Sequence, residues 1–313
     1  MSLLFAGFIA PYLVAIAAFQ FLAVRRTSHW MLPVGMCLLV ALSPGLISMQ
    51  HPVLRFLASL SAATVAIKII DLWLDIRLRS APTWQEFLAF LANPFIYVRR
   101  CLPREPRPSS RQDLVRFLKE SLICFTGIAL LVAAFSIDWR DWPFLVEHST
   151  KVVLFMLAIV SGLTALAALW RLTGGTARDY MDRPFAARTP ADFWRRYNRN
   201  MQQFFWQNVF KTTGGLRAPI RTTFLVFVLS ALMHELIFSV AIGRVQGYQM
   251  TFFLVQGIAA TLTAHVKVKG YAVAPWVVGT FVFNLASSVF FFASIHELFP
   301  FYSRGLPMWL SGW

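Results

Sequence analysis

Asn198 and His234 are the two residues whose chemistry stands out. Asn198 closes Asp192-Phe-Trp-Arg-Arg-Tyr-Asn198, a segment crowded with arginine and aromatic side chains, and His234 lies within the apolar run Ser230-Ala-Leu-Met-His234-Glu235-Leu-Ile-Phe238. An ionisable side chain where lipid should be asks for a functional explanation. An imidazole there can exchange a proton, and with Glu235 beside it a proton relay is one reading. The other is a buried histidine that joins helices by a hydrogen bond. The remaining histidines carry less weight: His296 stands at the end of the last apolar run beside Pro300, His265 lies near a basic end beside Lys267, and His29, His51 and His148 fall in or near loops. His234 alone reads as deep.

These residues need elements to hold them. Thr189-Pro190-Ala-Asp192 supplies an N-cap, a proline at the first helical position and an acid at the third, which predicts a helix over about 190–212, ended by Gly214-Gly215. At 100° per residue, Trp194, Asn198, Met201, Gln202, Phe205 and Val209 share one face, so Asn198 and Gln202 turn inward with the aromatics. Two amides on such a face cost on the order of 1–3 kcal/mol each unless they find partners. They can bond each other and backbone carbonyls, or a ligand. The next apolar run begins near Thr222, so the rise of a helix places His234 roughly 18 Å along it, close to a bilayer midplane. Ser230, one turn earlier, shares its face, while Glu235 turns towards a neighbouring helix or a water-filled cavity.

The composition says what surrounds them. With 58% hydrophobic residues and 30 phenylalanines among 313 residues, the chain cannot hide its apolar surface from water as a soluble domain. It reads as an all-α polytopic membrane protein. The net charge of +15 is concentrated in loops between apolar runs, where the positive-inside rule accounts for it, and no basic stripe on a folded domain points to nucleic acid. Cys37, Cys101 and Cys124 are far apart in sequence, with no Cys-x-x-Cys pair or Cys/His cluster, so neither a disulfide framework nor a metal site is implied.

Apolar runs cover roughly 3–24, 31–50, 53–70, 114–137, 151–170, 222–243, 248–266 and 271–295, which predicts about eight spans in one domain over residues 1–313. The third is the shortest. Arg25 and Arg26 follow the first run rather than precede it, so it reads as a retained span and not a signal peptide. The basic loops, Arg25/Arg26, Arg77 through Arg111, Arg171 through Arg221 and Lys267/Lys269, assign the cytoplasmic side and put both termini outside. Two long cytoplasmic loops carry structure of their own. In the first, Thr83-Trp-Gln-Glu86 is a capping box for a short amphipathic helix with Trp84, Phe87, Leu88 and Leu91, stopping at Asn93-Pro94. A basic, proline-broken stretch from Arg99 to Pro108 follows, suited to anionic head groups. The second loop holds the segment with Asn198.

The paired segments, with Asp182-Arg-Pro-Phe185 just upstream, resemble the signature of the membrane-bound O-acyltransferases, in particular their wax-synthase-like branch. The resemblance is sharp over about 180–240. It implies a bundle of transmembrane helices with cytoplasmic-side amphipathic helices around a buried tunnel, and an O-acyltransferase that moves a fatty acyl group from acyl-CoA to the hydroxyl of a lipophilic alcohol. Acyl-CoA is then a co-substrate, and no cofactor is implied. By position, His234 is the catalytic histidine, Asn198 its partner, and Ser230 the serine that relatives esterifying neutral lipids carry one turn before it. Trp194, Arg195, Arg196, Arg199, Gln202, Phe205 and Glu235 are the expected substrate contacts. The arginines, together with Lys211, Arg217 and Arg221, would meet the CoA phosphates at the cytoplasmic mouth. Direct attack is expected, because no serine or cysteine sits in a nucleophile motif. The chain then belongs in a membrane such as the bacterial inner membrane, with acyl-CoA entering from the cytoplasm. Sterol, diacylglycerol, polyketide, sugar or envelope acceptors are alternatives. A proton-coupled lipid transporter is the rival outside enzymology, but it calls for inverted repeats or paired broken spans, and the sequence displays neither.

Overall fold

The computed structural model describes residues 2–25, 29–78, 81–100 and 108–311. Twelve α-helices account for most of them: α1 Ser2–Phe19, α2 Met31–Leu42, α3 Pro52–Leu78, α4 Trp84–Ala92, α5 Ser110–Phe135, α6 Phe144–Leu172, α7 Pro190–Arg196, α8 Arg199–Phe205, α9 Pro219–Ile242, α10 Tyr248–Thr263, α11 Val273–Leu298 and α12 Met308–Ser311. Among the described residues, six helical segments are long and apolar enough to cross a bilayer, Leu4–Val24, Pro52–Leu78, Ser110–Phe135, Phe144–Leu172, Pro219–Ile242 and Gly270–Leu298, and the chain is a polytopic membrane protein. The other two expected spans are shorter. The second stops being α-helical at Ser43-Pro44 and ends in a 3-10 turn at Leu46, and α10 has 16 residues, about 24 Å of helix against a hydrocarbon core of about 30 Å.

The residues fall into two compact units, Met1–Leu102 with Leu229–Met250, and Pro103–Val228 with Thr251–Trp313. In the first, α1, α2, α3 and α4 pack around Phe19, Leu22, Val40, Val65, Ile69, Leu72 and Phe87. The shortest expected run, 53–70, is in fact the 27-residue α3. It continues past Ile70 because its buried charges are neutralised within the unit. Lys68 Nζ donates to the carbonyls of Phe90, Leu91 and Asn93 at 2.7, 3.0 and 2.6 Å, capping the C-terminal end of α4. The backbone N–H of Arg99 donates to Asp71, and the Arg99 side chain pairs with Asp75. The α4 capping box forms as the sequence predicts, with Thr83 Oγ1 accepting from Glu86 N and Glu86 accepting from Thr83 N. The basic stretch after Arg100 lies outside the described residues from Cys101 to Arg107.

In the second unit, α5 opens on a capping box at Ser109 and Gln112 and pairs with α6. Gly127 permits the approach, since a Cβ there would stand 3.2 Å from the Ala158 nitrogen. Arg171, at the end of α6, donates to Asp113 of α5 at 2.6 Å and to Asp179 at 2.9 Å. The sequence places His148 in or near a loop, but α6 begins at Phe144 and buries it together with Glu147. His148 Nε2 lies 2.9 Å from the Leu285 carbonyl, so that nitrogen carries the proton and Nδ1 accepts from the Tyr302 hydroxyl at 2.8 Å. Lys151 Nζ donates to Glu147 at 2.6 Å and to the Phe301 carbonyl at 2.7 Å. Composition concealed these contacts because His148 and Lys151 each bond to residues remote in sequence. His148, 1% exposed, is therefore a buried histidine set into α6 rather than a loop residue.

Candidate active site

The segment bearing Asn198 folds as two helices, and the single helix expected over 190–212 is corrected accordingly. Thr189 Oγ1 accepts from Asp192 N at 3.0 Å, Asp192 Oδ2 accepts from Arg188 N at 3.0 Å, and Pro190 opens the first turn, so α7 starts where the residues predict. It ends after Arg196. Tyr197 is extended, and Asn198 is left-handed at φ 46°, ψ 60°.

Two backbone hydrogen bonds from the preceding segment brace the break. Asp182 N–H donates to the Arg196 carbonyl at 2.9 Å, and Arg199 N–H donates to the Tyr180 carbonyl at 2.7 Å. In a continuous helix Arg199 N–H would bond to residue 195. The Asp182-Arg-Pro-Phe185 lead-in therefore has a mechanical role, and Arg183 within it is left-handed too, at φ 47°. Asparagine tolerates such a backbone better than most residues. Asn198 then caps α8, its Oδ1 accepting from Met201 N at 3.2 Å. The cap uses the amide oxygen and leaves the Nδ2 hydrogens as the side chain's donors.

With the helix broken, the predicted common face dissolves. Gln202 is exposed, not turned inward, while Phe205 is buried on α8. Trp194 stays on α7, within an aromatic cluster of Phe193, Tyr197, Phe227, Phe252 and Phe253. Its Nε1–H donates to Gln256 Oε1 at 2.8 Å. The Gln256 amide in turn donates to Asn284 Oδ1 at 3.2 Å and to Ser287 Oγ at 2.8 Å. Tyr197 stacks on Phe193 with centroids 5.1 Å apart, and burial pushes its phenol up to about 12. The sequence reading passed over Gln256, Asn284 and Ser287. The legible signal was a polar amide inside each of two apolar runs, a neutral counterpart of the ionisable group that singles out His234.

His234, Ser230 and Glu235 belong to the other unit, on α9. His234 lies 15 residues into this helix, about 22 Å along it. Its Nδ1 is 2.9 Å from the backbone carbonyl of Ser230. A carbonyl can only accept, so Nδ1 carries the hydrogen, and in the neutral ring Nε2 carries the lone pair. Ser230 thus orients the imidazole through its main chain, a bond that any residue at 230 could supply.

Glu235 is buried, and its carboxylate accepts backbone N–H groups of Gln246 at 2.8 Å, Gly247 at 2.7 Å and Met250 at 3.3 Å. It ties down the turn from α9 to α10. Arg55 of α3 holds the end of the same helix, donating from Nε to the Val240 carbonyl at 3.0 Å and from Nη1 to the Ile47 carbonyl at 3.1 Å. Of the basic side chains, Arg195 is exposed, Arg196 Nε lies 3.1 Å from Asp192, and Arg221 donates to the Thr213 carbonyl at 3.0 Å. Among the described residues, no group of three or more His, Cys, Asp or Glu is arranged to hold a metal ion.

The model of MBOAT, the membrane-bound O-acyltransferase family, matches residues 113–296, more than half of the chain. The chain belongs to this family. As a membrane-bound O-acyltransferase it is an acyl-CoA-dependent transferase of the membrane, and the match takes in the Asn198 segment and the His234 helix but not α1 to α4. No curated protein matches the chain.

Proposed function

We propose that this acyltransferase makes wax-type esters, moving a fatty acyl group from acyl-CoA to the hydroxyl of a long-chain alcohol, with His234 as the general base. The observation that carries the reading is the His234 tautomer, because the Ser230 carbonyl holds the hydrogen on Nδ1 and so leaves Nε2 as the basic atom. Nε2 takes the proton of the alcohol hydroxyl as its oxygen attacks the thioester carbonyl. The C–S bond breaks as the tetrahedral intermediate collapses. The CoA thiolate leaves and recovers a proton from the imidazolium, so the ring ends neutral.

Asn198 is assigned the Nδ2–H donor that meets the acceptor hydroxyl or the developing oxyanion, a contribution of about 2.7–4 kcal/mol in enzymes where such a donor has been removed. Its cap to Met201 turns the amide oxygen away from that task. Arg195, Arg196 and Arg199 are the proposed contacts for the CoA phosphates, which suits a cytoplasmic entry side. The wording of the two signature segments supports the long-chain alcohol as acceptor, and the bacterial inner membrane as the site of action goes with the same resemblance.

The test is ester formation by purified protein in lipid, supplied with acyl-CoA and a panel of hydroxyl acceptors and read by mass spectrometry. Wild type should form the long-chain ester, and folded His234→Ala should not. Undiminished activity in that variant overturns the role of His234. Esterification of a sterol or diacylglycerol in place of the fatty alcohol overturns the acceptor.

A further inference from the structure

We propose that Gln256 is a positioning residue for acyl transfer, fixing the indole of Trp194 and through it the helix break that presents Asn198. The inference rests on the reading of Asn198 given above. Gln256 is 1% exposed, and each of its hydrogen-bonding ends has a partner on a different element. Oε1 accepts from Trp194 of α7, while Nε2 donates to Asn284 and Ser287 of α11. The amide orientation follows from chemistry, since an indole N–H can only donate and must face the oxygen. Ser287 completes the chain by donating to the Phe283 carbonyl at 2.8 Å.

The place of this bond gives it a consequence for Asn198. Two hydrogen bonds tie α7 to α10 beside the packing of Trp194 on Phe252 and Phe253: Ala191 N–H donates to Thr263 Oγ1 at 3.1 Å, and Trp194 bonds to Gln256. Positions 256 and 263 are seven apart, on one face of α10, and 191 and 194 are three apart on α7. The Thr263 tie holds the start of α7, and the Gln256 tie holds the end that runs into Tyr197 and Asn198. Gly257 keeps the surroundings close. A Cβ there would lie 2.6 Å from Phe227 Cβ, and the Phe227 ring packs edge-on against Trp194 with centroids 5.4 Å apart. Losing Gln256 therefore removes the hydrogen bond that sets the indole while the packing on Phe227, Phe252 and Phe253 leaves α7 docked, so the variant should fold.

The experiment is steady-state kinetics of the full chain in lipid with Gln256→Met, Trp194→Phe, the double variant and Asn198→Asp. A misplacement of the order of 1 Å costs about a hundredfold in rate. Gln256→Met should lose about tenfold to a hundredfold in kcat with the acyl-CoA KM within about threefold. The double variant should be no worse than the poorer single one, because both remove the same bond. A kcat within about twofold of wild type, or single losses that multiply in the double variant, overturns the inference. Should Gln256→Met fail to fold, Ser287→Ala, which leaves Asn284 as acceptor, should lower kcat about threefold or more, and an unchanged kcat there counts against it equally. An inactive Asn198→Asp beside a fully active Gln256→Met removes the positioning role alone. Full activity in Asn198→Asp removes the reading on which it rests.

Discussion

The backbone N–H of Arg199 donates to the carbonyl of Tyr180 at 2.7 Å, a bond between residues nineteen apart that takes the place of a helical one. With its neighbour from Asp182 N–H to the Arg196 carbonyl, it stops α7 and starts α8 at a left-handed asparagine. Asn198 thus carries a backbone duty beside the donor role proposed for its side chain, and substitutions can separate them.

Asn198→Asp keeps a cap acceptor and tolerates the left-handed backbone but loses the Nδ2 donor. It should fold with wild-type thermal stability and lose about a hundredfold to a thousandfold in kcat. Asn198→Ala loses the cap as well and sits poorly at φ 46°, so it should also be less stable by about 2 kcal/mol. Melting curves run beside the kinetics separate the two duties.

Arg183 is exposed and left-handed at φ 47°, where a Cβ is unfavourable by roughly 1 kcal/mol or more. Arg183→Gly should therefore be more stable than Arg183→Ala by about 1 kcal/mol in paired denaturation measurements. Equal stabilities would mean that the lead-in does not hold this backbone in solution.

Glu235 accepts three backbone N–H groups of the α9 to α10 turn. Glu235→Ala strands them and should cost about 3 kcal/mol, with faster amide exchange at Gln246 and Gly247. Ser230→Ala leaves the carbonyl that orients His234 in place. Its kcat should stay within about threefold of wild type, whereas a loss of about a hundredfold would give the hydroxyl a direct part in the reaction.

The Tyr197 phenol titrates near 12, above the ordinary 10 for tyrosine, because burial disfavours the phenolate. The folded chain keeps this proton after the unfolded chain has released it, so stability present below pH 10 falls as pH rises from 10 through 12. Tyr197→Phe should flatten that alkaline slope by about 3 kcal/mol over the interval. The absorbance of the phenolate, compared between wild type and the variant, reports the titration.

The family was legible in the residues because its signature is a matter of local wording, Asp192 through Asn198 and Ser230 through Phe238, and the match over residues 113–296 agrees. The membrane class was legible because 58% hydrophobic residues have no other solvent. The caps at Thr83 and Thr189 depend on side chains within three residues of the bond they make. The sequence alone determines such features because their causes are short-range.

What the tertiary structure decided has causes at a distance. A pattern of helical period cannot register that Tyr180 and Asp182 will claim the hydrogen bonds around Asn198, so it predicted one helix where there are two. Hydropathy ended the third run near Ile70, since it counts Asp71 and Asp75 as exposed charges, and Arg99 and Arg100 neutralise them in the fold. Gln256 looked like one polar residue among apolar neighbours until α7 and α11 brought its partners to it. Local chemistry chooses the residues. Contacts between elements remote in sequence decide what Asn198 presents and what Gln256 holds.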